Sequence, residues 1–188
     1  GECVPRGAAD CAITTARENA RLSIAQRRSK SGWSVTKSGD DRVVLQTMSI
    51  LHGETGEELA TVPVGEPVVI ASRLFVQEAV ERLVVGHLIR DRTGHVVWGT
   101  NTWHTRQALK SLAGGSYVDV EFRFLCNLGP GSYSVTYNLV STDTRAIDNY
   151  DSQDNFLVFD VVNLSKPQFV GSTWLDAKIQ VSKTTHAQ

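Results

Sequence analysis

The chain from Tyr117 to Val140 reads YVDVEFRFLCNLGPGSYSVTYNLV, and this pattern decides the fold class. Apolar and polar residues alternate on both sides of a Gly-Pro-Gly turn. Alternation with period two is typical of half-buried β-strands, so the stretch predicts two antiparallel strands. The residues expected to face the core are Val118, Val120, Phe122 and Phe124 before the turn, and Tyr133, Val135, Tyr137 and Leu139 after it.

Similar runs of β-branched and aromatic residues recur along the chain, separated by turn residues such as the GETG at 53–56. About eight short strands at such spacing predict an all-β antiparallel sandwich. The predicted strands cover residues 42–52, 67–76, 82–91, 95–98, 117–126, 131–140, 155–162 and 174–181.

Tyr133 stands just after the LGPG turn, at the opening of a strand. This is the setting of a tyrosine corner, in which the hydroxyl bonds back to upstream backbone and fixes the crossover between two sheets. We therefore expect a structural role for Tyr133.

The first 40 residues differ from the rest. Ile13, Ala16, Ala20 and Ile24 recur at spacings of three and four, which predicts one amphipathic helix. The stretch 26–40 is polar and rich in Ser and Gly, which is typical of a linker. The expected organisation is a helix and linker over 1–40, following a domain absent from this chain, and a β-sandwich over 41–188.

Composition narrows the function. The formal net charge of −1 offers no field for a polyanion, so nucleic acid is not an expected partner. Cys3, Cys11 and Cys126 form no CxxC motif, which favours a reducing, cytoplasmic compartment over a disulfide framework or zinc site. No apolar run approaches the roughly 18 residues of a membrane span.

Catalytic motifs are not found. The chain has neither a phosphate-binding GxxxxGK[ST] loop nor a GxSxG elbow, and its histidines lack metal-ligand spacing. The acidic segment 148–155 (DNYDSQDN) admits a calcium site or, through Asp151 and Asp154, a glycosidase pair. We favour a polar loop at strand ends and expect no catalytic residue, metal or cofactor.

The run 97–106 (VWGTNTWHTR) concentrates aromatic, amide and cationic side chains. A flat indole stacks on the apolar face of a sugar, while amide and guanidinium groups bond its hydroxyls. Trp98 is as readily a core residue as a ligand, whereas Trp103 has polar neighbours on both sides. The predicted carbohydrate-binding residues are Trp98, Asn101, Trp103, His104 and Arg106, with Arg90 and Asn138 if their strands are neighbours.

The strand at 155–162 is apolar on both faces. We expect Phe156 and Val158 to face the core, which leaves Leu157, Phe159 and Val161 to be covered by another sheet element or a partner. The last predicted strand, 174–181, follows a segment containing Pro167 and is suited to exchange between two copies. A protein-interaction module without glycan binding is therefore the alternative function.

Residues 85–94 (VGHLIRDRTG) and 97–102 (VWGTNT), followed in order by the LGPG turn, the acidic segment and the strand after it, resemble a known family. The resemblance is to the C-terminal carbohydrate-binding domain of the Wzt-type ATPase subunit of O-antigen polysaccharide ABC exporters. It runs from about residue 42 to residue 181. His87 departs from the pattern, because the family usually has an apolar residue at that position.

The resemblance implies an immunoglobulin-like sandwich that dimerises, sometimes with an exchanged terminal strand. It also implies non-catalytic binding of O-polysaccharide in the cytoplasm, often at a modification of the non-reducing end, before export. The implied partners are the glycan, a second copy, the ATPase domain and the transmembrane subunit. The implied location is cytoplasmic, at the inner membrane through the transporter.

Overall fold

The computed structural model describes residues 23–28 (backbone only), 32–142 and 148–183, and within these ranges the chain forms strands and turns but no helix. The strands are β1 Ser23–Arg28, β2 Ser34–Gly39, β3 Val43–His52, β4 Thr61–Pro63, β5 Pro67–Val76, β6 Val80–Asp91, β7 Val96–Asn101, β8 Leu109–Leu112, β9 Ser116–Leu125, β10 Gly131–Val140 and β11 Asn149–Val162.

The strands form two sheets. The larger has eight strands in the order β1-β2-β11-β10-β6-β7, with β4 added parallel to β11 and β8 antiparallel to β6. The smaller sheet has the order β3-β5-β9 and is antiparallel throughout. Alternate residues of both sheets meet in one core, so the predicted all-β, immunoglobulin-like sandwich is confirmed. Fully buried core members include Ile70, Leu74, Leu83, Val85, Ile89, Val135 and Leu139.

The tyrosine corner forms as the sequence predicts. The buried Tyr133 hydroxyl donates to the Gly129 carbonyl at 2.8 Å. Strand β10 then runs through the middle of the larger sheet, paired with β6 on one side and β11 on the other. The corner therefore fixes the strand that bears Asn138.

Strand β9 lies at an edge of the smaller sheet, and within the described residues its only strand partner is β5. Its predicted inward residues do pack against the core, but they are only partly buried. An edge strand is covered on one side only, and its other row of backbone groups is free to pair with another chain.

The linker prediction is wrong for Ser34–Gly39, which form β2 and pair with β11 through Ser38 opposite Ser152. Alternation within this polar segment buries Val35, which is 4% exposed, and this places one face against the core. Ile24 lies in β1. The rest of the predicted helix lies outside the described residues.

Strand β11 begins at Asn149, so the acidic segment is a strand and the polar-loop prediction is wrong. The predicted facing of its second half is wrong as well. Phe159 lies opposite the inward-facing Tyr133, and paired residues share a face, so Phe159 is buried while Phe156 is 37% and Val158 36% exposed. Because this run is apolar on both faces, its own sequence does not determine which residues face the core, and the pairing with β10 determines it.

The predicted strand at 174–181 does not form within this chain. Ser172 and Trp174 bond the backbone next to β9, through Gly129 N–H to Ser172 O at 2.9 Å and Trp174 N–H to Asn127 O at 2.6 Å. Residues 175–183, the described part beyond Trp174, have no strand partner, and their apolar side chains stay exposed: Leu175 72%, Ile179 88% and Val181 80%.

Candidate functional site

The loop after β7 is held rigidly by its own hydrogen bonds. The Asn101 side chain oxygen accepts the His104 backbone N–H at 2.8 Å, and the Gln107 N–H donates to the Thr102 carbonyl at 2.7 Å. The Thr105 N–H and hydroxyl both donate to the Asn101 carbonyl at 3.3 Å. Loop residues whose backbone groups are satisfied in this way hold their side chains in a fixed arrangement.

Thr102 ties this loop to the sheet. Its buried hydroxyl accepts the Val85 N–H at 3.0 Å, and its own N–H donates to the Val85 carbonyl at 2.9 Å. The Gly-Thr-Asn-Thr motif thus has a structural task, which is to fix the loop that follows it to the middle of β6.

The loop displays three exposed side chains, Trp103, His104 and Arg106, around a shallow hollow of about 500 Å³. Trp103 is 41% exposed, and the Arg82 guanidinium lies 5.3 Å from the centre of its ring. A cation over an indole face holds the ring in place. With Arg82 and Lys110, the loop brings three cations to one place, and none is paired with a carboxylate in the described part of the chain.

A second hollow, of about 300 Å³, lies beside the loop on the outward face of the larger sheet. Strand register builds it, because Gly86 of β6 stands opposite Asn138 of β10 on one side and Asn101 of β7 on the other. Because Gly86 has no side chain, the space between the Asn138 and Asn101 side chains stays open. A Cβ at Gly86 would lie 3.1 Å from the Asn101 Cβ, so a larger residue there would require β7 to shift by a few tenths of an ångström.

Asn138 carries the least satisfied polar group of this hollow. Its side chain oxygen is buried and has no hydrogen-bond partner among the described residues. A buried acceptor left unpaired is costly, and the Asn138 side chain that carries it lines the hollow. Val84 and Val140, buried outside the main core, supply the apolar part of the lining.

The predicted binding residues therefore separate into groups. Asn101, His104 and Asn138 line the outward hollow, and His104 also lines the hollow beneath Trp103 and Arg106. The two hollows adjoin through His104, so five of the seven predicted residues lie together. The sequence analysis did not single out Gly86, Gly99, Arg82 or Lys110. The one sequence signal that could have identified any of them is a glycine inside a strand.

Trp98 and Arg90 lie apart from this group. Trp98 packs against the core on the opposite face of β7, with its ring 5.1 Å from Phe124 in a stacked arrangement. Arg90 stands four residues beyond Gly86, ~13 Å along β6. There its Nη1 donates to the Gly94 carbonyl at 3.1 Å.

Asp151, one of the two acids of the disfavoured glycosidase interpretation, is buried inside the sandwich. One carboxylate oxygen accepts the Tyr137 hydroxyl at 2.9 Å and the Leu45 N–H at 3.1 Å, and the other lies 3.6 Å from Lys37 Nζ. Burial raises the pKa of Asp151, against the lowering effect of these partners. The carboxylate links β2, β3, β10 and β11, which gives it a structural task out of reach of a substrate.

His87, the departure from the family pattern, points into the core. It is 1% exposed, its Nε2 lies 3.3 Å from the Ser72 hydroxyl, and its ring centre is 4.3 Å from that of Phe122. Burial lowers the pKa of His87 to about 3, so the ring is neutral near pH 7. It takes the place of an apolar core residue.

Within the described ranges there is no helix long and apolar enough to cross a membrane, and no group of three or more side chains suited to hold a metal ion.

The fold and the outward hollows define a class, an immunoglobulin-like β-sandwich with a preformed surface site. The Wzt C-terminal domain family model matches residues 34–175, and the chain belongs to that family, which serves the ABC exporters of O-antigen. The chain is similar to the crystal structure of the C-terminal domain of Wzt, with a TM-score of 0.68 and 15% identity over 78% of this chain and 87% of that one.

A Niemann-Pick type C2 protein from Japanese carpenter ant is similar only in outline, with a TM-score of 0.45 and 7% identity over 63% of this chain and 91% of the other. No curated protein sequence matches the chain.

Proposed function

We propose that this domain binds O-polysaccharide, without catalysis, on the outward face of the larger sheet. The observation that carries the proposal is the rigid loop bearing Trp103 beside a hollow with an unpaired Asn138 amide oxygen. Stacking on Trp103 would supply apolar contact, and the amides of Asn101 and Asn138 would bond hydroxyls.

The end of the glycan chain is the part we expect the site to recognise. A volume of about 300 Å³ lies at the small end of the range for ligand pockets, which suits one sugar with its substituent. The cations Arg82, Arg106 and Lys110 suit an acidic or phosphate-bearing modification held next to that sugar. Binding of the completed end would couple chain completion to export.

We further propose that two copies pair by exchanging their C-terminal segments. The backbone bonds of Ser172 and Trp174 direct the chain toward the free edge of β9. The exposed Leu175, Ile179 and Val181 alternate with polar residues, as a strand of a partner sheet would require. A dimer would present two sites to one polymer and raise its avidity.

In the cell, we propose that the domain works in the cytoplasm, joined to an ATPase domain and through it to the transmembrane subunit of the exporter. Its cargo would be the lipid-linked glycan before transport. The fixed, buried state of Asp151 supports a binding role over a hydrolytic one.

A protein-interaction module without glycan binding is the second candidate. The observation in its favour is that the apolar side chains Phe156 and Val158 of β11 are 37% and 36% exposed. Such a module would bind its partner regardless of any added sugar.

The test is titration of this chain with O-polysaccharide from the strain that encodes it, with and without the terminal modification. Trp103→Ala should weaken binding at least tenfold, since stacking and buried apolar area are both lost. Tyr117→Ala is the matched control, because Tyr117 is 63% exposed on the smaller sheet. Binding of neither glycan form would favour the protein-interaction candidate.

A further inference from the structure

A third hollow, of about 270 Å³, opens at the far end of the outward face. Its lining includes Trp33, Arg92, Gly94 and Asn155. Trp33 is half-buried and Arg92 is exposed. Within the described residues, the Arg92 guanidinium forms no ion pair with a carboxylate. An aromatic ring beside a guanidinium is the same pairing of groups as in the Trp103 site.

One wall of this hollow is fixed by Asn155, the residue of the β11 bulge with φ of 52°. Its side chain oxygen accepts the Ser134 hydroxyl at 2.6 Å, and its N–H donates to the Thr136 hydroxyl at 3.1 Å. The side-chain nitrogen of Asn155, Nδ2, donates to the Ser34 carbonyl at 2.7 Å. The bulge thereby anchors the start of β2, next to Trp33. A non-glycine residue in this conformation persists only where its surroundings require it.

The opposite wall is the turn between β6 and β7. Asp91 Oδ1 accepts the Thr93 N–H at 2.9 Å, the Thr93 hydroxyl at 2.6 Å and the His95 N–H at 2.9 Å. Arg90 donates to the Gly94 carbonyl, and the Gly94 N–H to the Asp91 carbonyl at 2.9 Å. Both walls are therefore preformed, which lowers the entropy cost of binding.

The third hollow shares a face with the first two. Ser134 and Asn138 both point outward from β10 and pair with Arg90 and Gly86 of β6. Arg82, Gly86 and Arg90 are spaced four residues apart on β6, so that ~13 Å separates each from the next. Arg82 lies at the Trp103 loop, Gly86 lies in the second hollow, and Arg90 lies beside the hollow that Trp33 lines.

Resting on the proposed function, we propose that the Trp33 hollow is a second glycan subsite, which binds a sugar further along the same polymer. Trp33 stacks on that sugar, and Arg92 donates to its hydroxyls. The face then recognises a stretch of chain leading from its end, and the affinity grows with the length of the oligosaccharide.

The test uses oligosaccharides prepared from the same O-polysaccharide, fractionated by size, all with the modified end. Trp33→Ala is expected to weaken binding of the longer fractions by about tenfold, in line with loss of one stacked ring. Fragments of the end sugar and its neighbour should bind the variant as they bind the natural chain. Arg92→Gln is a second variant, which retains the Trp33 side chain, and Tyr117→Ala is the control.

Three outcomes are informative. Length-selective weakening in both variants supports the subsite. Unchanged binding of long fractions, or equal loss for short and long ones, overturns the subsite while the proposed function stands. If the natural chain binds no fraction at all, the proposed function fails and the subsite with it.

Discussion

At the scale of single residues, His87 makes the fold sensitive to acid. The folded state holds the ring neutral with a pKa of about 3, whereas the unfolded chain has the ordinary value of about 6.5. The unfolded state therefore binds more protons below pH 6.5. Stability is complete above that pH and is lost as the pH falls toward 3, by about 1.4 kcal/mol per unit.

We predict that His87 accounts for a loss of about 2 kcal/mol in the free energy of unfolding between pH 7 and pH 5. Urea unfolding at the two pH values measures it. His87→Leu should remove that part of the pH dependence, while His104→Gln, at an exposed position, should retain it. An unchanged slope in His87→Leu would contradict the assignment.

Tyr133 gives a second prediction at this scale. Tyr133→Phe removes the donor of the 2.8 Å bond to the Gly129 carbonyl and leaves a buried acceptor unpaired. We expect the free energy of unfolding to fall by about 1–2 kcal/mol. Tyr117→Phe, at a position exposed on the smaller sheet, should change it by less than about 0.5 kcal/mol. Equal effects in the two variants would show that the Tyr133 hydroxyl bond does not stabilise the fold.

At the scale of strands, the sequence predicted those strands that the local pattern of apolar and polar residues is sufficient to identify. The bounds of β5 and β10 agree with their predicted ranges, because runs of β-branched and aromatic residues mark both strands. Strand β2 was missed because its Ser- and Gly-rich sequence is typical of a linker, and its pairing with β1 and β11 makes it a strand. The segment after Trp174 has a strand pattern but pairs with no strand among the residues that the structure describes.

The residues of the candidate site could likewise be predicted only in part from the local sequence. Residue types pointed to Asn101, Trp103, His104 and Arg106, which are close in sequence. Asn138 joins them through the register of β10 on β6 and of β6 on β7, and no local pattern contains that register. Trp98 is separated from its neighbours by strand alternation, since odd and even positions of β7 face opposite ways.

The C-terminal segment carries a prediction at the strand scale. A chain ending at Trp174 should remain folded but lose the ability to dimerise, because it lacks the segment proposed to pair with β9 of a second copy. Sedimentation equilibrium of the full and shortened chains measures this. Ile179→Asp, at a position 88% exposed, should weaken the dimer in the same direction. A shortened chain that dimerises as well as the full one would exclude exchange.

At the scale of the whole molecule, the outward face of the larger sheet carries the three hollows of the proposed binding surface. The edge of the smaller sheet is where we propose that a second copy binds. This separation predicts that dimerisation changes the avidity and not the intrinsic affinity. The full chain should bind immobilised long polysaccharide about 100-fold more tightly than the chain ending at Trp174. Both should bind a short fragment of the modified end equally, as measured by calorimetry.

The central claim is that glycan binds the outward face of the larger sheet, and the four tryptophans allow a direct test. The measurement is the shift of the indole N–H resonances when the modified O-polysaccharide fragment is added. We predict that the Trp103 signal moves and that Trp33 follows with longer fragments, while Trp98 and Trp174, packed against the core, stay in place. Movement of Trp98 with Trp103 unaffected would place the ligand between the sheets and contradict the claim.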